Sequence, residues 1–125
     1  MAEAPDSRPP VWTGHVVLHS ADPIAAAHFY EQIGMRPVQL DEQFSVLEMR
    51  GETHLAIRHD PEHAAPGPAV WDLMVDDLDA IHDKWQAHGF PVSPIKDGPP
   101  HRCFELTDPD GHVLTVRDSH VIGPV

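Results

Sequence analysis

The stretch Arg102 to Asp118, RCFELTDPDGHVLTVRD, constrains the fold of this chain more than any other. Phe104 and Leu106 lead into Asp108-Pro109-Asp110-Gly111, a turn in which Pro presets φ and Gly accepts a positive one. Val113, Leu114 and Val116 run out again, so a β-hairpin is predicted. Val46 to Asp60, VLEMRGETHLAIRHD, repeats the plan: it turns at Arg50-Gly51-Glu52 and leaves through Leu55-Ala56-Ile57-Arg58, so that Ile57-Arg58 answers Val116-Arg117. A hairpin that occurs twice points to a module that occurs twice.

The rest of the chain fills two such modules. His15 to Ser20 alternates into a strand, and Asp22-Pro23 opens a helix with Asp at the N-cap and Pro at N1. The helix carries Phe29 and Ile33 on one face and stops at Gly34. Met35 to Leu40, Phe44 to Met49 and Thr53 to Arg58 are three further strands, which gives βαβββ. After a Pro- and Ala-rich stretch the pattern restarts. Val70 to Val75 is a strand, Asp76 or Asp77 caps a helix striped by Leu78, Ile81 and Trp85, and Gly89 ends it. Pro91 to Ile95 and His101 to Leu106 are strands ahead of the final hairpin. The expected organisation is one domain of α+β class over residues 1–125. It has a flexible arm over 1–11, module one over 13–60, a linker over 61–69 and module two over 70–118. Each helix covers one side of its sheet, and the other sides curve into a mixed sheet around a cleft.

Composition narrows the partners. The formal charge of −12 disfavours nucleic acid and anionic membranes, which are held by Lys and Arg. There is no apolar run of membrane-span length and no apolar leader, so a cytoplasmic protein is expected. The single cysteine, Cys103, cannot form an internal disulfide and is expected as a small buried side chain. Of the eleven histidines, His28, His59, His63, His82, His88 and His112 fall on helix faces, the linker or a turn, where solvated imidazoles are expected.

The order His15-Val-Val-Leu, Asp22, Phe29-Tyr30, Gly34-Met35, Val75-Asp76-Asp77 and Asp108-Pro109-Asp110-Gly111 resembles the vicinal oxygen chelate superfamily. That is the group of glyoxalase I, bleomycin-resistance proteins and extradiol dioxygenases, and the resemblance covers roughly Thr13 to Asp118. It implies a metal held by four His or Glu residues on the first and last strand of each module. Carried over residue by residue, those positions are His15, Ala56, Val70 and Thr115, of which only His15 suits a metal. No metal and no other cofactor is therefore expected. The resemblance also implies a homodimer, because paired modules expose an apolar flank.

Read from alternation alone, the cleft-facing residues are Thr13, His15, Val17 and His19; His54, Ala56 and Arg58; Val70, Asp72 and Met74; and Val113, Thr115 and Arg117. The candidate ligand-binding residues are His15, His54, Arg58, Asp72, Thr115 and Arg117. Because the resemblance implies that the superfamily's ligand positions lie level with one another, Arg58, Asp72 and Arg117 are expected level too, one pleat deeper, two guanidinium groups flanking one carboxylate, so that Asp72→Ala should cost about 3–5 kcal/mol. Trp85 and Trp71 point to the core side, which leaves Trp12 to cover a bound ring; His101 and His120 flank the hairpin without a definite place. Three functions follow. The first is a bleomycin-resistance-like protein that binds a small organic ligand without the usual metal. The second is a metal-dependent lyase, isomerase or dioxygenase with a displaced site around His15, His54 and a carboxylate. The third is an interaction module without ligand. The absent metal ligands weigh against the enzyme, and the His- and Arg-bearing cleft weighs against the inert module.

Overall fold

Each helix of the computed structural model, which describes residues 5–98, 102–120 and 123–125, begins on an aspartate. Asp22 Oδ1 accepts from Ala25 N–H at 3.2 Å and starts α1 (Pro23–Gln32); Asp77 Oδ1 accepts from Ala80 N–H at 3.0 Å and starts α2 (Leu78–Ala87). These bonds satisfy N–H groups that a helix start otherwise leaves without partners.

Around α1 lie β1 (His15–Ser20), β2 (Arg36–Gln39), β3 (Phe44–Glu48) and β4 (His54–His59), in the spatial order β1-β4-β3-β2. β1 runs parallel to β4 with His15 opposite His54 and Val17 opposite Ala56, and β3 runs antiparallel to β4 with Glu48 opposite His54. The βαβββ order expected for the first half is thus observed. Leu18, Leu47, Leu55 and Ile57 turn inward with Ala26, Phe29 and Tyr30 of α1 to form the core of this half. Their neighbours at odd steps along each strand face outward, as the pleat requires.

The second half departs from expectation at three points. The stretch expected as one strand over 70–75 splits into β5 (Gly67–Pro68) and β6 (Leu73–Val75), both parallel to β8 (His112–Asp118). Between them Ala69 to Asp72 stand opposite only Leu114 and Thr115, and the extra length loops Val70 out until it is 98% exposed. Pro91 to Ile95 forms no strand but only the isolated bridge Val92 to Leu106, with a second bridge from Lys96 to Cys103. Pro91 and Pro94 lack the N–H groups a ladder needs. β7 (Cys103–Thr107) pairs with the other edge of β8, Phe104 opposite Val116; the start expected for it, His101, lies outside the described residues. The result is α+β with two mixed four-stranded sheets, each covered by one helix. Among the described residues no helix is long and apolar enough to cross a membrane.

The DPDG turn clasps the two halves together. Asp108 is buried and takes three donors: the Tyr30 hydroxyl of α1 at 2.7 Å, Asp110 N–H at 3.0 Å and His112 N–H at 2.9 Å. Asp110 accepts from Ala21 N–H at 2.9 Å, and His112 Nε2 lies 2.9 Å from the His19 carbonyl. Gly111, at φ +86°, brings the turn so close to Pro66 that a Cβ there would stand 2.9 Å from the proline Cβ. Burial raises the Asp108 carboxyl above its ordinary value, against the pull of Tyr30 and His112, and burial followed by Asp108 raises the Tyr30 phenol. The raised phenol keeps its proton, so Tyr30 remains a donor.

Two histidines expected in solvent are therefore buried. His112 is fixed by this clasp, and His82, on the inner side of α2, places Nε2 2.8 Å from the Ser93 carbonyl and its ring edge-on to Phe104. Each imidazole has a carbonyl to pair with, which removes the penalty of burying it. Cys103 is half-buried on β7.

Candidate functional site

The outward face of the first sheet carries a row of polar side chains at one end. Because His15, His54 and Glu48 are register partners on β1, β4 and β3, and Arg36 on β2 is opposite Glu48, the four stand side by side across the sheet. The His15 and His54 rings stack with centroids 5.6 Å apart, His54 Nε2 lies 3.3 Å from Glu48 Oε2, and Arg36 pairs with the same carboxylate. The next row inward is apolar: Val17, Ala56 and Val46. Ala56 is only 5% exposed although it stands outside the core cluster, whereas its partner Val17 is 45% exposed.

Residues of the N-terminal segment form the opposite wall. Pro10, Val11, Trp12, Gly14, His15, Glu48, Glu52 and His54 enclose an open depression of about 730 Å³. Trp12 remains 63% exposed beside it, as expected of a side chain free to cover a ring. Thr53 holds this wall by donating its hydroxyl to the Thr13 carbonyl at 2.7 Å.

The second sheet has a smaller hollow of about 280 Å³, lined by Ala69, Val70, Trp71, Asp72, Thr115 and Arg117. Arg117 Nε donates to Asp72 Oδ2 at 2.9 Å, with the two side chains 36% and 53% exposed. Arg58 does not join them: it stands at the opposite end of the first sheet with its guanidinium 5.7 Å from the centre of the Phe44 ring. The buried triad expected from the sequence is thus an exposed pair plus a distant arginine. An exposed pair of this kind contributes about 0–1 kcal/mol, so the large cost expected of Asp72→Ala does not apply. Each hollow is lined from one half of the chain only. His15 and His54 are brought together, Asp72, Thr115 and Arg117 are brought together, and the two groups are not joined. Glu48 went unnoticed in the sequence because only the β3 to β4 register puts it beside His54. His120 is exposed, and His101 is outside the described residues.

The model of the Glyoxalase/Bleomycin resistance protein/Dioxygenase superfamily matches residues 12–116. The chain belongs to this superfamily. Comparison with curated proteins gives no match. Among solved structures, a lactoylglutathione lyase from Agrobacterium tumefaciens is 21% identical with a TM-score of 0.73, covering 92% of this chain and 98% of that one. A bleomycin-binding protein from the bleomycin producer Streptomyces verticillus, complexed with copper(II)-bleomycin, is 23% identical with a TM-score of 0.72, covering 90% of this chain and 100% of that one. TnmS3, an antibiotic binding protein from a Streptomyces species, is 23% identical with a TM-score of 0.72, covering 88% and 97%. At these identities the likeness speaks for the fold.

The superfamily's metal does not fit the residues present. Its second position is Ala56, without a donor atom and nearly closed off; its third, Val70, is looped out into solvent; its fourth is Thr115, a neutral hydroxyl. A borderline divalent ion takes imidazole, thiolate or carboxylate, and His15 alone offers one of these. Another close group of donors, Asp108, Asp110 and His112, is committed to the clasp described above.

Proposed function

We propose that this protein binds a small organic ligand against the outward face of its first sheet, as bleomycin-resistance proteins of the superfamily do, without the superfamily's metal. The observation that carries the reading is the depression of about 730 Å³ between the apolar residues Pro10, Val11 and Trp12 and the His15–His54–Glu48 row. An apolar and aromatic wall facing a few oriented polar groups is the usual make-up of a small-molecule site. Glu48 fixes the His54 ring, and the stacked His15 presents a second imidazole; both serve as hydrogen-bond anchors.

The rival reading, a metal-dependent lyase, isomerase or dioxygenase around His15 and His54, has Glu48 as its carboxylate. Against it, rings stacked at 26° carry their nitrogen lone pairs in nearly parallel planes, which do not converge on one ion. Titrating bleomycin against the tag-free protein, with chelator present, distinguishes the two. A saturable quench of tryptophan fluorescence is expected, weakened roughly tenfold or more in Trp12→Ala and in His54→Ala. Binding that needs an added divalent ion would favour the enzyme. An absent quench would remove bleomycin as a ligand, and a quench untouched in both variants would move the site elsewhere.

The protein is further proposed to be a homodimer. Val17, Val38 and Met74 on the sheets and Leu40 and Val70 beside them are exposed apolar side chains, and a second copy covering them would bring an Asp72–Thr115–Arg117 half-site to a His15–His54 half-site. Thr115 and Arg117 then supply polar and anionic-group recognition that the first hollow lacks, while Arg58, at the opposite end of the first sheet, takes no part. Sedimentation is expected to give twice the 13.9 kDa chain mass; the monomer mass at micromolar concentration would contradict it.

A further inference from the structure

Resting on the reading of the 730 Å³ depression as a ligand site, we infer that Glu52 makes that site selective for organic cations such as an ammonium group, with the Trp12 ring as the second contact. Glu52 and Trp12 line the same depression. Among the described residues the Glu52 carboxylate makes no hydrogen bond and no ion pair. Its near neighbour in sequence, Arg50, is taken elsewhere: the two Nη atoms lie 3.3 and 2.8 Å from the carboxylate oxygens of Asp76. A negative charge on the wall of the hollow is thus left for a ligand to meet.

The backbone supplies a second observation. Glu52 is the one described residue other than glycine with a positive φ, at +65°, and it follows Gly51 at +74° in the short turn Arg50–Glu52 that joins β3 to β4. Such a conformation suits Gly, Asn or Asp and is unfavourable for a longer side chain. Glu at this position works against the turn, and what it provides in return is a carboxylate on the depression.

The rest of the lining has the same preference. No Lys or Arg is among the residues that enclose the depression, and its other carboxylate, Glu48, is already shared by Arg36 and His54. Glu52 is therefore the group that decides which charge the hollow accepts. Trp12 offers an exposed indole face, the strongest aromatic partner for a cation. An ammonium held between ring and carboxylate leaves His15 and His54 to meet polar groups on the same molecule, whereas an anion would face two carboxylates. The formal charge of −12 acts in the same direction, drawing cations toward the molecule and repelling anions. Arg117 lines only the other hollow, so an anionic group that it takes in the dimer belongs to a different part of the ligand.

Probes of similar size and different charge test the inference: benzyltrimethylammonium, benzyl alcohol and benzoate, each titrated into tag-free protein with chelator present while the Trp12 indole N–H resonance is followed. The cation is expected to saturate at least ~5-fold more tightly than the alcohol, and benzoate more weakly than either. Added salt should weaken the cation and leave the alcohol unchanged. Glu52→Gln should bring cation and alcohol within about twofold of each other, and Glu31→Gln, on the exposed side of α1, should change nothing. Glu52→Gly, which suits the positive φ, should melt no lower than the parent and lose the preference in the same way, separating the charge from the turn. Equal affinity for cation and alcohol in the parent, a preference that survives Glu52→Gln, or no saturable binding of the cation would each overturn the inference. Bleomycin binding alongside such a result would leave the ligand site itself standing. Cation binding beside Trp12 without bleomycin binding would uphold the role of Glu52 and remove only that drug.

Discussion

Asp108→Ala is expected to cost about 3–5 kcal/mol, enough to lower the melting temperature of a chain this size by roughly 10–20 °C. The substitution leaves three donors without an acceptor: the Tyr30 hydroxyl, wholly buried, and the N–H groups of Asp110 and His112. Hydrogen bonds to a charged group contribute about 1.5–3 kcal/mol each, and each buried donor left alone costs about 1–3 kcal/mol, so even partial relaxation leaves a large loss. Urea unfolding followed by circular dichroism measures it, and a loss below about 1 kcal/mol would show that water replaces the carboxylate. The pH dependence has a definite sign. Burial raises the folded-state value of Asp108 above its unfolded one, so the fold takes up a proton at this carboxyl more readily than the open chain does. As pH falls from neutral toward the ordinary carboxylate range, this group therefore adds stability. Asp60, Asp76 and Asp79, lowered by hydrogen bonds to His63, Arg50 and Arg102, do the opposite and lose their contribution below that range. Since those three are shared, the stability of the parent relative to Asp108→Asn should rise on acidification.

Phe104→Ala is expected to be comparably damaging, at about 3–5 kcal/mol, but to act on one half of the molecule. Phe104 is 1% exposed and meets two residues of α2 edge-on, His82 at 4.9 Å and Trp85 at 5.8 Å between ring centres. With Pro91 to Ile95 reduced to a bridge and β6 only three residues long, this aromatic contact is a large part of what holds α2, beside Leu78 in the core. Hydrogen exchange should therefore show the amides of α2 losing protection well before those of β3 and β4. Loss spread evenly over both sheets would mean that the halves unfold as one unit.

The first half was legible in the sequence because its signals are local: alternation from His15 to Ser20, an Asp-Pro helix start, and a glycine stop. The clasp turn was legible as a turn, whereas its buried role depends on Tyr30, far away in the chain. Val70 to Val75 misled because its alternation is intact on both sides of a bulge, and nothing local marks extra residues opposite β8. For the site, His15 and His54 could be read from strand parity, but Glu48 could not, since parity carries no register between strands. The expected Arg58–Asp72–Arg117 level failed for a related reason. It assumed that the outward faces of the two sheets meet within one chain, whereas each opens on a hollow of its own.

The looped segment between β5 and β6 has a consequence for how such a protein can diversify. Both of its ends are pinned to β8, Pro68 at Val113 and Leu73 at Val116, so its length can change without moving the register of either strand. Doubling a loop costs only about 0.6 kcal/mol in closure entropy, far less than shifting a strand. Its residues Ala69 to Asp72 are also a wall of the hollow that holds Thr115 and Arg117. Insertions here would reshape what that hollow admits while the scaffold stays fixed, which makes this segment the place where a lineage, or a designer, can change ligands at least cost to the fold.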